Sequence, residues 1–165
     1  MKNILFLLLL FLIGCSNSKS SIHPLPKKLS KLPIGIKVIH SEDMVYASLN
    51  EDQNRGQKYK WNHSTTVSTL KEELTIVEFG GYVYEDNSWK EKNIEFRPFN
   101  NQEFEDWYKC PKGILLKNKT YTDNNNWSTA DELINSSTIW YFIGEDKNGK
   151  KFVGYEFVEI KGELK

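Results

Sequence analysis

Cys110, three histidines and several close pairs of carboxylates are the side chains of this chain that could carry chemistry. A nucleophilic thiol needs a lowered pKa, supplied by a helix N-terminus or an adjacent base. Cys110 instead follows NNQEFEDWYK, whose apolar spacing predicts a short helix. The carbonyl end of a helix disfavours a thiolate. A Cys110–His63 dyad would have to be assembled entirely by the fold, because no local signature supports it. His40 with Glu42 and Asp43 makes a metal half-site that His63 could complete, and alternation along a strand puts His40 and Glu42 on one face. Structural zinc asks for close ligand pairs such as C-x2-C or H-x3-H, and the sequence has none. Glycoside hydrolysis needs two carboxylates flanking a cleft. Glu72-Glu73, Glu103 with Glu105 and Asp106, and Asp131-Glu132 read more simply as solvated faces. EDKNGK and DNNNW lack calcium-loop spacing, and there is no G-x-S-x-G, no H-E-x-x-H and no phosphate-cradling glycine loop. The expectation is a protein with no catalytic site, no metal and no cofactor.

Aromatic side chains are the remaining signal. They make up 13% of the chain, with five tryptophans. Trp107 and Trp140 fall on predicted core faces, whereas Trp89 follows a turn and Trp127 sits in the polar stretch YTDNNNWST. Trp89 and Trp127, with Tyr121 and Asn125 beside the latter, are the candidate ligand contacts. A flat apolar ring among hydrogen-bonding neighbours suits a sugar or a protein partner. The competing expectation is that Trp127 folds back and plugs one end of the domain. The 22 basic and 22 acidic side chains balance, and Arg55 and Arg97 are the only arginines. Such a surface has no basic stripe for phosphates, which excludes a nucleic-acid binder.

The elements that must position these residues alternate with a period of two. IGIKVIH, MVYASLN, YKWNHSTTV and LTIVEFGGYVY read as strands, the last with a Gly80-Gly81 pair that predicts a bulge or bend. Asp86-Asn87-Ser88 turns the chain into WKEKNIEFRPF. Asn148-Gly149 predicts a two-residue hairpin turn that pairs Trp140 with Phe157 and Phe142 with Tyr155. That register puts Trp140, Phe142, Val153, Tyr155 and Phe157 on one face, and Tyr141, Glu145 and Glu156 on the other. One helix, near 101–109, has Asn100 and Glu103 as a capping box and Phe104, Trp107 and Tyr108 as its stripe. A second helical turn is expected at STADELI, with Thr129 and Glu132 as its cap pair. This pattern predicts a mainly β domain over residues 34–165, an immunoglobulin-like antiparallel β-sandwich or a small barrel.

The N-terminus gives an address. Lys2 precedes the uncharged apolar run Ile4–Gly14, too short to span a bilayer and of signal-peptide length. Leu12-Ile13-Gly14-Cys15 resembles the lipobox of bacterial lipoproteins. The resemblance implies removal of residues 1–14, a diacylglyceryl group on the Cys15 sulfur and an acyl chain such as palmitate on the new amino terminus. Ser16 in place of aspartate points, by the same resemblance, to the outer membrane, on its periplasmic or its surface face. The resemblance ends at Cys15. Residues 15–33, rich in serine, lysine and proline, read as a lipidated cysteine and a flexible tether, reaching at most about 60 Å. Lipidation of Cys15 leaves Cys110 without a disulfide partner.

The sequence thus describes a monomeric, lipid-anchored envelope protein whose domain binds a protein or glycan. A second reading is an inhibitor or immunity-type lipoprotein that blocks a toxin or hydrolase, and a Cys110-dependent enzyme stands third. Cys15→Ser is expected to abolish fatty-acid labelling and to leave uncleaved precursor. Equal labelling of wild type and variant would overturn the anchor.

Overall fold

The computed structural model describes residues 23–51, 57–93 and 97–165. The signal segment, Cys15, the first part of the tether and Arg55 lie outside the described residues. The elements are α1 (Lys27–Ser30), β1 (Ile36–His40), β2 (Met44–Leu49), β3 (Tyr59–Thr69), β4 (Glu73–Glu85), β5 (Ser88–Glu91), α2 (Asn101–Tyr108), a 3-10 turn (Pro111–Gly113), β6 (Ile114–Leu116), β7 (Tyr121–Ala130), β8 (Ser136–Glu145) and β9 (Lys151–Leu164). Among the described residues the strands form one sheet in the order β1-β3-β2-β9-β8-β4-β5, with β6 added to β4 and β7 to β3. The domain is mainly β, as its alternation predicts. The strands do not divide cleanly into the two layers of a sandwich, and the sheet curls into an open half-barrel.

The β8–β9 hairpin forms where Asn148-Gly149 predicts it, one residue out of the predicted register. Asp146 Oδ1 accepts from the backbone N–H groups of Asn148 and Lys150, at 2.9 and 3.0 Å. The Asp146 N–H meets the Lys150 carbonyl, and Gly149 takes the left-handed φ of 79°. Three residues therefore turn the chain, not two, in the arrangement that ends on a left-handed glycine. Trp140 pairs with Glu156, Phe142 with Gly154, and Tyr141 with Tyr155. A one-residue shift moves a strand's side chains to the other face, so Tyr155 and Phe157 lie opposite Trp140 and Phe142, together with Tyr141. The Gly80-Gly81 pair makes no bulge either. The ladder to β8 runs regularly from Glu78 to Val83, and the irregularity falls between Ile76 and Glu78. Gly80 makes room for a neighbour, since a Cβ there would stand 2.7 Å from Asn93 Oδ1.

The concave face is filled by aromatic rings. Phe79, fully buried, lies 5.1–6.0 Å from the rings of Phe99, Phe104, Trp107, Tyr108 and Phe142. Three of these sit on α2, which begins at the predicted capping box: Asn100 Oδ1 accepts from the Glu103 N–H, and Glu103 returns the bond to the Asn100 N–H. Arg97 grips Glu103 through two bonds of 2.9 and 3.0 Å and holds its carboxyl below the usual range. Asn101 Nδ2 donates to the Ile76 carbonyl at 2.8 Å and pins the helix to β4.

Two further stretches differ from expectation. Residues 121–130, which composition reads as a polar loop, form β7 along most of β3, from Tyr59↔Ala130 to Val67↔Tyr121. The ladder outweighs the weak strand propensity of its asparagines. It also carries Ser128–Ala130 past the point where STADELI predicts a helix. Residues 23–33, which composition reads as tether, lie against the convex face. Leu25, Leu29 and Leu32 recur at helical spacing and pack on a cluster that includes Tyr82, Ile139, Tyr141 and Val153. Pro24 accepts from Trp89 Nε1 at 2.8 Å, and His23 stacks on Tyr84 at 3.5 Å. Beneath this strap the Tyr141 hydroxyl lies 2.7 Å from Glu78 Oε1 and 2.8 Å from Glu91 Oε1, and the Lys28 ammonium pairs with Glu78.

Leu29 is 1% exposed, so Leu29→Ala is expected to destabilise the protein by about 2 kcal/mol or more. A chain beginning at Ile34 should melt lower and bind more of an apolar dye than one beginning at His23. Equal melting of the two chains would mean that the strap contributes nothing.

Candidate functional site

A half-barrel leaves a slot where its edges fail to meet. Here β7 and the start of the following loop form one wall, and β4, β5 and the residues after β5 form the other. The slot encloses about 690 Å³, within the usual range for small-molecule sites. Trp61, Trp107, Trp127 and Trp140 all line it, with Phe99 among them. Trp61 and Trp140 belong to the walls: Trp61 is fully buried, with Nε1 donating to the Lys161 carbonyl at 2.7 Å, and Trp140 is nearly so. Trp107 and Trp127 are half-buried and touch each other at 5.7 Å, while Trp107 also touches Phe99 at 4.6 Å. Lys60 places its ammonium 5.7 Å from the centre of the Trp127 ring. The polar part of the lining includes Gln57, Thr129, Asp131, Glu91 and Lys92, and Lys92 pairs with Glu85 at 3.4 Å.

Of the four candidate contacts, Trp127 alone lines this slot. Trp89 lies on the convex face, half-buried under the strap. Tyr121 stands at the other end of β7, packed on the main core cluster. Asn125 is exposed, its N–H held by Asp123 Oδ1 at 2.9 Å. Trp107, which its helical spacing assigns to the core, serves both the core and the slot. Burial periodicity cannot reveal that double role, because a residue at the end of a short helix faces the core and the opening at once.

Buried polar pairs cross the interior behind the slot. Asn126 Nδ2 donates to the Tyr108 hydroxyl at 2.9 Å, and Thr65 Oγ1 lies 2.9 Å from His40 Nδ1. His40 Nε2 reaches the Glu156 carbonyl at 3.3 Å. A carbonyl only accepts, so Nε2 carries the proton and Nδ1 accepts from Thr65. His63 packs edge-on to His40 at 4.7 Å, with both its ring nitrogens buried and without a hydrogen-bond partner. The fold therefore brings the two histidines of the proposed half-site together, but both nitrogens of His40 are already engaged. No group of three or more His, Cys, Asp or Glu among the described residues could hold a metal ion. Burial lowers His40 to about 4, and burial together with the neighbouring His40 lowers His63 to about 3. Cys110 is fully buried, donates to the Ile114 carbonyl at 3.3 Å and is raised by burial to about 11. It is a thiol at neutral pH, and no Cys110–His63 hydrogen bond forms.

No protein-family model matches this chain, and no curated protein is significantly similar to it. Among solved structures it is similar to the crystal structure of the "Putative ApaA Protein" from Bordetella pertussis, at 8% identity and a TM-score of 0.45, covering 78% of this chain and 96% of that one. A likeness at that score bears on neither the fold nor the function of this chain.

The histidine pair sets an acid limit. Both folded pKa values lie below the ordinary 6.5, so between those values and 6.5 the unfolded chain binds protons that the folded one does not. Stability is full above about pH 6.5 and falls as pH drops towards 4, by about 3 kcal/mol for each histidine that must charge. Chemical denaturation from pH 7 to pH 4 should show this loss, and His63→Phe should flatten it. An unchanged slope in the variant would assign the acid sensitivity elsewhere.

Proposed function

We propose that this protein is a lipid-anchored component of the bacterial envelope, probing its surroundings with a non-catalytic domain that holds a protein or glycan ligand in the tryptophan-lined slot. One observation carries the reading: the half-buried Trp107 and Trp127 touch at 5.7 Å in a single slot, backed by Trp61 and Trp140 buried in its walls. Indoles concentrated at one opening, with polar groups between them, form the kind of surface that supplies hot spots in recognition. In its finer shape we read the domain as nearer the small-barrel alternative than the immunoglobulin-like sandwich. The neutral thiol of Cys110 and the fully engaged His40 favour binding over catalysis. Anchoring follows from Cys15. With residues 23–32 docked, the segment from Cys15 to His23 spans at most about 30 Å, which holds the domain close to the membrane at the outer-membrane location the lipobox implies.

The full-length protein in detergent, used as bait in envelope extract, tests the binding role. Trp127→Ala should lose the captured ligand, at a cost of about 2 kcal/mol or more in affinity, while its own stability falls by no more than about 1–2 kcal/mol. Trp140→Ala should lose about 3–5 kcal/mol of stability as a wall residue. If Trp127→Ala unfolds as readily as Trp140→Ala and captures as wild type does, Trp127 is a plug and the binding role falls.

A further inference from the structure

We propose that the slot takes a neutral saccharide, with a sugar ring lying on the indole platform of Trp107 and Trp127. This rests on the binding role above and names the class of ligand. The arrangement of the rings decides between the chemistries an aromatic site can serve. A cation is held by rings that stand around it as a cage. Here Phe99, Trp107 and Trp127 touch in sequence at 4.6 and 5.7 Å. They are inclined to one another by 55° and 39° and stay in contact, a bent aromatic surface with no gap between its rings for a cation to enter. The one ring on the edge strand already carries the Lys60 ammonium at 5.7 Å, which repels a second cation.

The polar lining excludes an acyl chain by the opposite argument. Gln57, Thr129, Asp131, Glu91 and Asn93 share the slot with the indoles. A purely apolar occupant would strip water from amides, hydroxyls and carboxylates without replacing its hydrogen bonds, which is costly. An anionic ligand meets Glu85, Glu91 and Asp131, and the two ammonium groups near it are already engaged, Lys92 with Glu85 and Lys60 over the Trp127 ring. A pyranose answers both halves of the lining. Its C–H face is flat and apolar and lies on an indole, and its hydroxyls both donate to carboxylates and accept from amides. The slot volume of about 690 Å³ leaves room for more than a single ring to be held along its length.

The test titrates full-length protein in detergent with cellohexaose, maltohexaose, mannohexaose and chitohexaose, following tryptophan fluorescence. Tetramethylammonium and an unstructured peptide library serve as competing probes. At least one hexasaccharide should bind saturably with a Kd below about 1 mM. Trp127→Ala and Trp107→Phe should each weaken it at least tenfold, and Asp131→Asn should weaken it by a smaller factor while leaving the melting temperature unchanged. Saturable binding of tetramethylammonium or peptide, with no hexasaccharide bound, would overturn the saccharide and leave the binding role standing. If every probe fails and envelope capture fails too, both fall. Saccharide binding that persists undiminished in Trp127→Ala and Trp107→Phe would place the sugar elsewhere and also overturn the proposal.

Discussion

The contacts around Phe79 are the interaction on which the rest of this molecule depends. A curled sheet that does not close has a concave apolar face and no opposing layer of strands to cover it. Phe79 stands in the middle of that face; its backbone bridges to Phe99, just before the cap of α2, and Phe104, Trp107 and Tyr108 of the helix reach its ring. Aromatic pairs of this kind contribute about 0.5–1.5 kcal/mol each beyond the area they bury. A helix of eight residues would not persist in water by its own propensity. Its capping box, its Arg97 clamp and its anchor on the Ile76 carbonyl fix where it starts, and Phe79 fixes what it covers. The slot inherits its wall from this arrangement, because Trp107 belongs to the Phe79 cluster on one side and to the opening on the other.

The slot persists because the edge strand is tied down across the interior. β7 is hydrogen-bonded on one side only by β3, and an edge held so would be free to swing. The Asn126–Tyr108 bond ties that edge to α2, and the Thr65–His40 and His40–Glu156 contacts tie β3 to β1 and β1 to β9. Each of these groups is buried, and a buried polar group is stable only where its bonds are made. These bonds favour one position for β7, at the cost of the orphaned nitrogens of His63, of the orphaned Oδ1 of Asn126 and of an interior that cannot accept protons without loss. The width of the opening is set by polar satisfaction as much as by packing.

Much of this was legible in the residues. Alternation located most of the strands, and Asn100 with Glu103 located the helix. What the sequence could not display is how a turn resolves. Asn148-Gly149 is compatible with a two-residue and a three-residue turn. The choice is made by Asp146 Oδ1 gathering two N–H groups, a local contest of small energies. Its consequence is global: Tyr155 and Phe157 exchange faces, leave Trp140, and become part of a convex cluster that needs a cover. β7 was hidden for a different reason, since Thr122 to Asn126 have the composition of a loop and become a strand only because β3 offers a ladder. Of the residues that line the slot, Trp127 is marked in the sequence by its polar neighbours. Trp107 is not, because spacing reports which face a residue is on, and not that the face ends at an opening.

The strap completes the logic of a sheet with two apolar faces. Once the hairpin register places Tyr141, Tyr155 and Phe157 on the convex side, that side cannot stay bare. The segment preceding β1 is the nearest chain able to cover it, with Leu29 as the fully buried member. This gives the proposed anchor a mechanical consequence. A freely jointed tether would let the domain turn in any direction above the membrane. A chain that enters the fold by stacking His23 on Tyr84 and seating Pro24 on Trp89 passes its tension to the convex face, away from α2. If Cys15 is held in a leaflet, the domain meets its tether on the convex face, and the residues from His23 onward that look like linker by composition belong to the folded unit.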